Sequence, residues 1–253
     1  FCRAPKLQKD MKRVLVVGGA NGIGLSVATE LAKRQECEKI YIVDKAEIAV
    51  DVDLEKIEYH SFDLTSEDFG FFDSFDDVDT LMITAGFGKL ALFKDLDEKY
   101  IIDSMNVNTI AVIRLIHHFY HKIHSKVDFY CGVMVSIAGF ISSPFFSVYG
   151  ASKAALKIFI ESVNVELEKA GITNRILNVS PGSISGTGFY HGKTDLLQIR
   201  ELANEIIKNL EQKNDLFIPQ FEEIYSQVLE RYREDFREEG KRSYDYKLNS
   251  GRI

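Results

Sequence analysis

Val14-Leu15-Val16-Val17-Gly18-Gly19-Ala20-Asn21-Gly22-Ile23-Gly24 is the stretch that decides how this chain folds. Its first four residues form a continuous apolar run, the pattern of a short strand buried on both faces. Glycines end the run, and Leu25, Val27, Ala28, Leu31 and Ala32 then recur on one side of a helical period reaching about Arg34. Gly18 permits a tight turn, Gly22 lets the backbone approach a pyrophosphate, and Gly24 lets the helix lie close against the strand. The helix start, with Asn21 and Ile23 in the same loop, offers N–H groups and a positive dipole end to phosphates. Taken singly, a glycine turn without a ligand explains this loop equally well.

The next apolar run, Ile40-Tyr41-Ile42-Val43, strengthens the ligand reading because it closes on Asp44, twenty residues beyond Gly24. A carboxylate at the end of a second strand accepts hydrogen bonds from an adenosine ribose and repels a 2′-phosphate. With no Lys or Arg in the glycine loop, this favours NAD over NADP, a preference that Lys45 moderates. The bland alternative for Asp44 is a surface-turn aspartate.

Further strands are expected at 57–62, 80–84, 130–136, 176–179 and 216–218. Helices are expected at about 97–124, 149–170 and 196–213, with a last amphipathic one near 221–238. Strands alternating with helices imply crossover connections. The predicted fold is α/β: a Rossmann-like, doubly wound, mostly parallel sheet of seven strands in a three-layer α/β/α arrangement. One domain spans 11–240, preceded by a tail at 1–10 and followed by a polar tail at 241–253. Such sheets bind ligands at the carboxyl ends of their strands, so the residues just after each strand carry most of the interest.

Composition narrows the function classes. Thirty-one Lys and Arg against 38 Asp and Glu leave a net charge of −7, with no long basic block, so neither nucleic acid nor an acidic membrane is an expected partner. No apolar run reaches the roughly 18–20 residues of a membrane helix. Three cysteines, Cys2, Cys37 and Cys131, lack C-x-x-C spacing and fit unpaired thiols in a reducing, cytoplasmic setting. His117, His121 and His124 share one helix face, but no carboxylate or cysteine completes a ligand set, so no metal is expected there.

Tyr149-Gly150-Ala151-Ser152-Lys153 opens a helix and places a phenol and an ammonium on one face. A free phenol titrates near 10, too high for a base at neutral pH. A fixed cation beside it favours the phenolate, which then takes a proton from an alcohol or returns one to an alkoxide. Ser136 ends a preceding strand, where its hydroxyl can hold a substrate oxygen. Tyr-x-x-x-Lys alone is common; joined to the glycine loop, Asp44 and Ser136 it is not.

These stretches, with Phe62-Asp63-Leu64, Ala85-Gly86, Asn108 and Pro181-Gly182, resemble the short-chain dehydrogenase/reductase family from Lys12 to about Pro219. The resemblance implies that Tyr149 is the acid/base, Ser136 the substrate-oxygen anchor, and Lys153 the ribose clamp and pKa modulator. Asn108 would hold a water linking Lys153 to solvent. Asp63 and Leu64 would contact adenine, with Ala85 and Gly86 in the cofactor cleft. Pro181-Gly182 and Ile184 would lie along the nicotinamide, and Thr187 would reach its carboxamide or the phosphates. Val17 and Ile83 stand where the family usually has polar residues that brace the adenine side. Phe140, Phe146 and Phe189 are expected around the substrate.

The activity implied is NAD(H)-dependent hydride exchange with a small-molecule secondary alcohol or ketone, in a homodimer or homotetramer. A silent nucleotide-binding regulator and a sugar-nucleotide epimerase or dehydratase are the alternatives.

Overall fold

The computed structural model describes residues 11–53, 55–188 and 193–250. Seven parallel strands form one sheet in the order β3-β2-β1-β4-β5-β6-β7. They are β1 (Arg13–Val17), β2 (Lys39–Asp44), β3 (Ile57–Ser61), β4 (Thr80–Ile83), β5 (Tyr130–Met134), β6 (Ile176–Val179) and β7 (Leu216–Phe217). Strand order reverses between β1 and β4, where Val17 pairs with Ile83. A crevice opens at such a switch point because the connections on its two sides leave in opposite directions. The glycine loop hangs over that crevice.

Two hydrophobic cores flank the sheet. On one face, α1 (Gly22–Ala32) and α6 (Leu196–Glu211) bury Leu25, Leu31, Ile206 and Leu210 against Val14, Val16 and Ile42. On the other, α3 (Ala111–His118) and α5 (Ser147–Lys169) bury Leu115, Leu156 and Ile160 against Leu15, Leu81 and Val133. Alternate residues of one strand thus serve opposite cores, as the two-residue period of a strand requires. Truncating a fully buried residue such as Leu156 to alanine would cost about 2–5 kcal/mol.

Two elements differ from expectation. The predicted helix at 97–124 is divided into α2 (Glu98–Met105), a π-helical turn at Asn106–Ile110, α3, and α4 (Tyr120–Ile123). Asn108 sits in the π turn, a geometry that recurs at functional sites. Between β2 and β3, where no helix is expected and none occurs among the described residues, Ile48, Val50 and Val52 pack directly on the α1 core.

The second difference lies near the C-terminus. Where a polar tail is expected from 241, residues 241–249 belong to α8 (Phe236–Asn249), within which Glu239, Gly240 and Lys247 are buried. The helix predicted at 221–238 is a π-helical turn (Phe221–Tyr225), then α7 (Ser226–Glu234), then a break at Asp235. Asp235 both ends α7 and caps α8, accepting from the Arg237 and Glu238 N–H groups. No helix among the described residues is long and apolar enough to cross a membrane.

Candidate active site

A cleft of about 870 Å³ runs from the glycine loop along the ends of β4, β5 and β6. Gly18, Asn21, Gly22, Ile23 and Gly24 line one end. Gly18 has φ 86, the left-handed backbone a tight strand-to-helix turn needs. A Cβ on Gly24 would overlap the Thr84 hydroxyl, so only glycine brings the helix this close. Thr84 Oγ1 donates to Gly18 O at 2.8 Å and Val17 O at 3.3 Å. This hydroxyl supplies a brace that Val17 and Ile83 lack, and sequence reasoning missed it because only the sheet brings residue 84 beside residue 18.

Ser136, Tyr149 and Lys153 meet at the middle of the cleft, all three buried. The Tyr149 and Ser136 hydroxyls are hydrogen-bonded. Ser136 Oγ also accepts from Ala138 N at 3.1 Å, which fixes the serine at the head of a short 3₁₀ turn. Lys153 Nζ donates to Met134 O at 2.7 Å and lies 5.7 Å from the centre of the Tyr149 ring. Burial disfavours both charged forms. It pushes the Tyr149 phenol up to about 12, against a smaller opposing effect of the Ser136 hydrogen bond. The Lys153 ammonium is pushed down to about 7. Without further positive charge the phenol therefore holds its proton.

Asn108 stands behind this group, fully buried. Its Oδ1 accepts from Phe87 N at 2.9 Å, and its Nδ2 donates to Phe87 O, Ser104 Oγ and Ser152 Oγ at 2.8–3.3 Å. The side chain clamps the segment after β4 and ties it to α5.

Residues expected around the cofactor divide by half. Gly86, Pro181, Gly182, Ile184 and Thr187 line the cleft with the glycine loop and the Ser136–Tyr149–Lys153 group. Their donor set suits a pyrophosphate and a nicotinamide riboside: backbone N–H groups at a helix start, and a buried amine. Gly22 N is hydrogen-bonded to Thr194 Oγ1 at 3.0 Å, so a hydroxyl sits on one of the N–H groups that would receive a phosphate oxygen.

Asp44, Asp63, Leu64 and Ala85 lie outside the cleft lining. Asp44 accepts from Ala20 N and Ala46 N, both at 3.1 Å, and Ala49 N donates to Ala20 O at 2.8 Å. The β2–β3 connection thus folds over the loop beside Asp44, and Ala20 is completely buried. Asp63 accepts from Thr65 N and Thr65 Oγ1, and these bonds hold its carboxyl below the ordinary range.

Of the three phenylalanines expected near the substrate, Phe146 lines the cleft, its ring 5.2 Å from that of Tyr149. Phe140 does not: Lys157 Nζ sits 5.0 Å over its ring, away from the cleft. Phe189 lies outside the described residues.

The far wall was not legible beforehand. It comes from the C-terminal helices, including Tyr225, Arg231, Glu239, Arg242, Tyr246 and Lys247. Helix α8 is docked on the loop before α5. Lys247 Nζ donates to Ser143 Oγ at 2.8 Å and Pro144 O at 2.7 Å, and Ser142 Oγ donates to Phe236 O at 3.3 Å. The Tyr244 ring packs 4.6 Å from Phe145, a buried residue in the left-handed region at φ 67. That backbone costs about 1–3 kcal/mol and persists because its surroundings hold it. No sequence signal ties residues this far past Tyr149 to the site.

Outside the cleft, His121 Nε2 faces Asp76 Oδ1 at 3.2 Å and His118 Nε2 faces Asp73 Oδ1 at 3.5 Å, across helix α4 and the end of α3. Cys37 and Cys131 are buried free thiols.

Fold and site together define an α/β protein of the Rossmann-like, doubly wound class. Residues 12–195 match the short chain dehydrogenase family, and the chain belongs to it. It is 27% identical over 213 residues to 11-beta-hydroxysteroid dehydrogenase 1A of Arabidopsis thaliana, covering 76% of this chain and 59% of that protein. The chain thus spans about three-fifths of that relative's length. It is 25% identical over 228 residues to the NADPH-dependent 1-acyldihydroxyacetone phosphate reductase of Saccharomyces cerevisiae, covering 84% of this chain and 72% of that protein. A short chain dehydrogenase from Burkholderia cenocepacia, solved in complex with NADP, shares the fold with a TM-score of 0.71 at 19% identity, covering 88% of this chain and 98% of that one.

Proposed function

We propose that this protein exchanges a hydride between a nicotinamide dinucleotide and a small secondary alcohol or ketone. The observation that carries this reading is the hydrogen-bonded Tyr149–Ser136 pair, with Lys153 beside it, at the middle of a cleft that begins on a phosphate-cradling loop. The nicotinamide, when bound, supplies or accepts the hydride. Ser136 Oγ holds the substrate oxygen next to the Tyr149 hydroxyl. Tyr149 donates its proton to that oxygen in reduction and takes it back in oxidation. Lys153 orients the cofactor ribose and, when charged, lowers the cost of the phenolate. Asn108 keeps the floor of the site rigid.

Asp44 supports NAD(H) as the preferred form, because its carboxylate at the end of β2 disfavours a 2′-phosphate. The yeast relative is NADPH-dependent by name and the Burkholderia structure holds NADP, so the NAD(H) reading rests on Asp44 alone. Fluorescence titration with NADH and NADPH tests it, and a carbonyl panel with the tighter cofactor tests the activity. A second reading, a nucleotide-sensing protein, draws on the covered Ala20 side of the loop. Tight dinucleotide binding with no turnover across the panel would favour it.

A further inference from the structure

Residues 142–146, the stretch that leads into α5, meet a helix that lies far along the chain. Ser142 Oγ donates to Phe236 O at 3.3 Å, and a Cβ on Gly240 would stand 3.1 Å from the same hydroxyl oxygen. The buried Lys247 donates through Nζ to Ser143 Oγ at 2.8 Å and to Pro144 O at 2.7 Å. That nitrogen also lies 5.5 Å from the centre of the Phe146 ring. The Tyr244 ring packs on Phe145. Every residue of the stretch therefore meets α8, and Ser143, Pro144 and Phe146 do so through a single ammonium group.

The stretch holds a conformation it would not keep alone. Phe145 stands at φ 67, a left-handed backbone that a phenylalanine adopts only where its surroundings hold it. Tyr244 packs on its ring, and Ala91 N donates to its carbonyl at 3.0 Å. Released from α8, this backbone would relax toward negative φ and carry Phe146 with it. Phe146 is the N-cap residue of α5 and supplies no side-chain cap. The helix starts instead with the Gly150 N–H donating to Phe146 O at 2.6 Å. Tyr149 lies within that first turn, its ring 5.2 Å from the Phe146 ring. A first turn has no earlier turn to hold it. The place of Tyr149 thus follows that of Phe146.

We propose that Lys247 is a positioning residue for hydride transfer, and the proposal rests on that reading of the site. Its ammonium holds residues 143–146, these fix the start of α5, and the start of α5 aims the Tyr149 hydroxyl at Ser136. Lys247 acts through Phe146 and not on the reacting atoms. Helix α8 is then part of the catalytic scaffold as well as a wall of the cleft.

Hydrogen exchange and NMR of the free chain test this with Lys247→Met, which keeps the stem and removes the three ammonium donors. The Gly150 N–H should exchange about tenfold faster, the scale of one net hydrogen bond. Amides of β1 and β4, which open with the whole sheet, should stay within about twofold. In the chain labelled with ¹³C at tyrosine Cζ, the Tyr149 signal is the one lost in Tyr149→Phe, and Lys247→Met should shift it. On any carbonyl of the panel that the wild type turns over, kcat should fall about ten- to a hundredfold, the cost of a misplaced catalytic group. Dinucleotide affinity should stay within about twofold. An unchanged Gly150 rate overturns the proposal, as does an equal acceleration at β1 and β4, which marks a merely structural role. An unmoved Tyr149 signal overturns it too. Should Lys247→Met fail to fold, Tyr244→Leu releases the same stretch through Phe145 and carries the same expectations. If no dinucleotide binds the wild type, the hydride-transfer reading fails separately, and the exchange rates and the Tyr149 signal still decide whether Lys247 positions the start of α5.

Discussion

The Tyr225 phenol rests directly on the Gly182 backbone: a Cβ on Gly182 would overlap the phenol oxygen and lie 2.8 Å from Cζ. Gly182 follows β6 at the floor of the cleft, whereas Tyr225 belongs to the C-terminal segment that roofs it. Glycine here is a docking surface for the C-terminal helices. Gly182→Ala should therefore loosen α7 and α8, seen as faster limited proteolysis within 221–249. Adding Tyr225→Ala should restore the wild-type rate. Equal proteolysis of wild type and Gly182→Ala would show that the contact does not hold the roof.

The Tyr149 hydroxyl is the group assigned to move the proton. Tyr149→Phe keeps the ring against Phe146 and removes only the oxygen. Turnover should fall by about a hundred- to ten-thousand-fold, the usual share of general acid–base catalysis. Dinucleotide binding by fluorescence should change little. Retained turnover would remove Tyr149 from the role.

Lys153 links the site to pH-dependent stability. Below about pH 7 the folded chain bears the full cost of a buried ammonium. Between about 7 and 10.5 the folded Lys153 is neutral while the unfolded one is still charged. The unfolded state then binds more protons, so this group makes stability rise with pH across that window. Tyr149 acts in the opposite sense between 10 and about 12, where the folded phenol keeps a proton the unfolded one loses. Lys153→Met should raise Tm most at pH 6 to 7, and its advantage should shrink toward pH 10. A pH-independent difference would contradict the burial argument.

Thr84 braces the glycine loop through its hydroxyl. Thr84→Val keeps the shape but leaves the Gly18 carbonyl without that donor. The expected cost is about 1 kcal/mol in stability, with weaker dinucleotide binding. Serine at the same position should recover most of both, measured by urea unfolding and fluorescence titration.

Asp44 should set cofactor preference. Wild type is expected to bind NADH more tightly than NADPH, and Asp44→Ala should shift the ratio toward NADPH. The same variant should weaken both somewhat, because Asp44 also holds Ala20 N and Ala46 N. Tighter NADPH binding by the wild type would refute the assignment.

The sequence by itself determined the sheet, the glycine loop and the Ser136–Tyr149–Lys153 group. Those features are written locally: a strand shows as a continuous apolar run, the turn at Gly18 as glycines between strand and helix, and the Tyr149–Lys153 pair as one helical turn. Tertiary structure alone decided the rest. Thr84 became a brace because β1 and β4 are neighbours, and the β2–β3 connection is held on Ala20 by the Ala49 N–H bond to Ala20 O. The charged segment near the C-terminus reads as polar because each residue's solvent exposure depends on what packs against it. Helix α8 buries Glu239 and Lys247 against partners on Arg231, Ser143 and Pro144. The Lys247 contacts span about a hundred residues of chain, and no local pattern encodes a separation of that length.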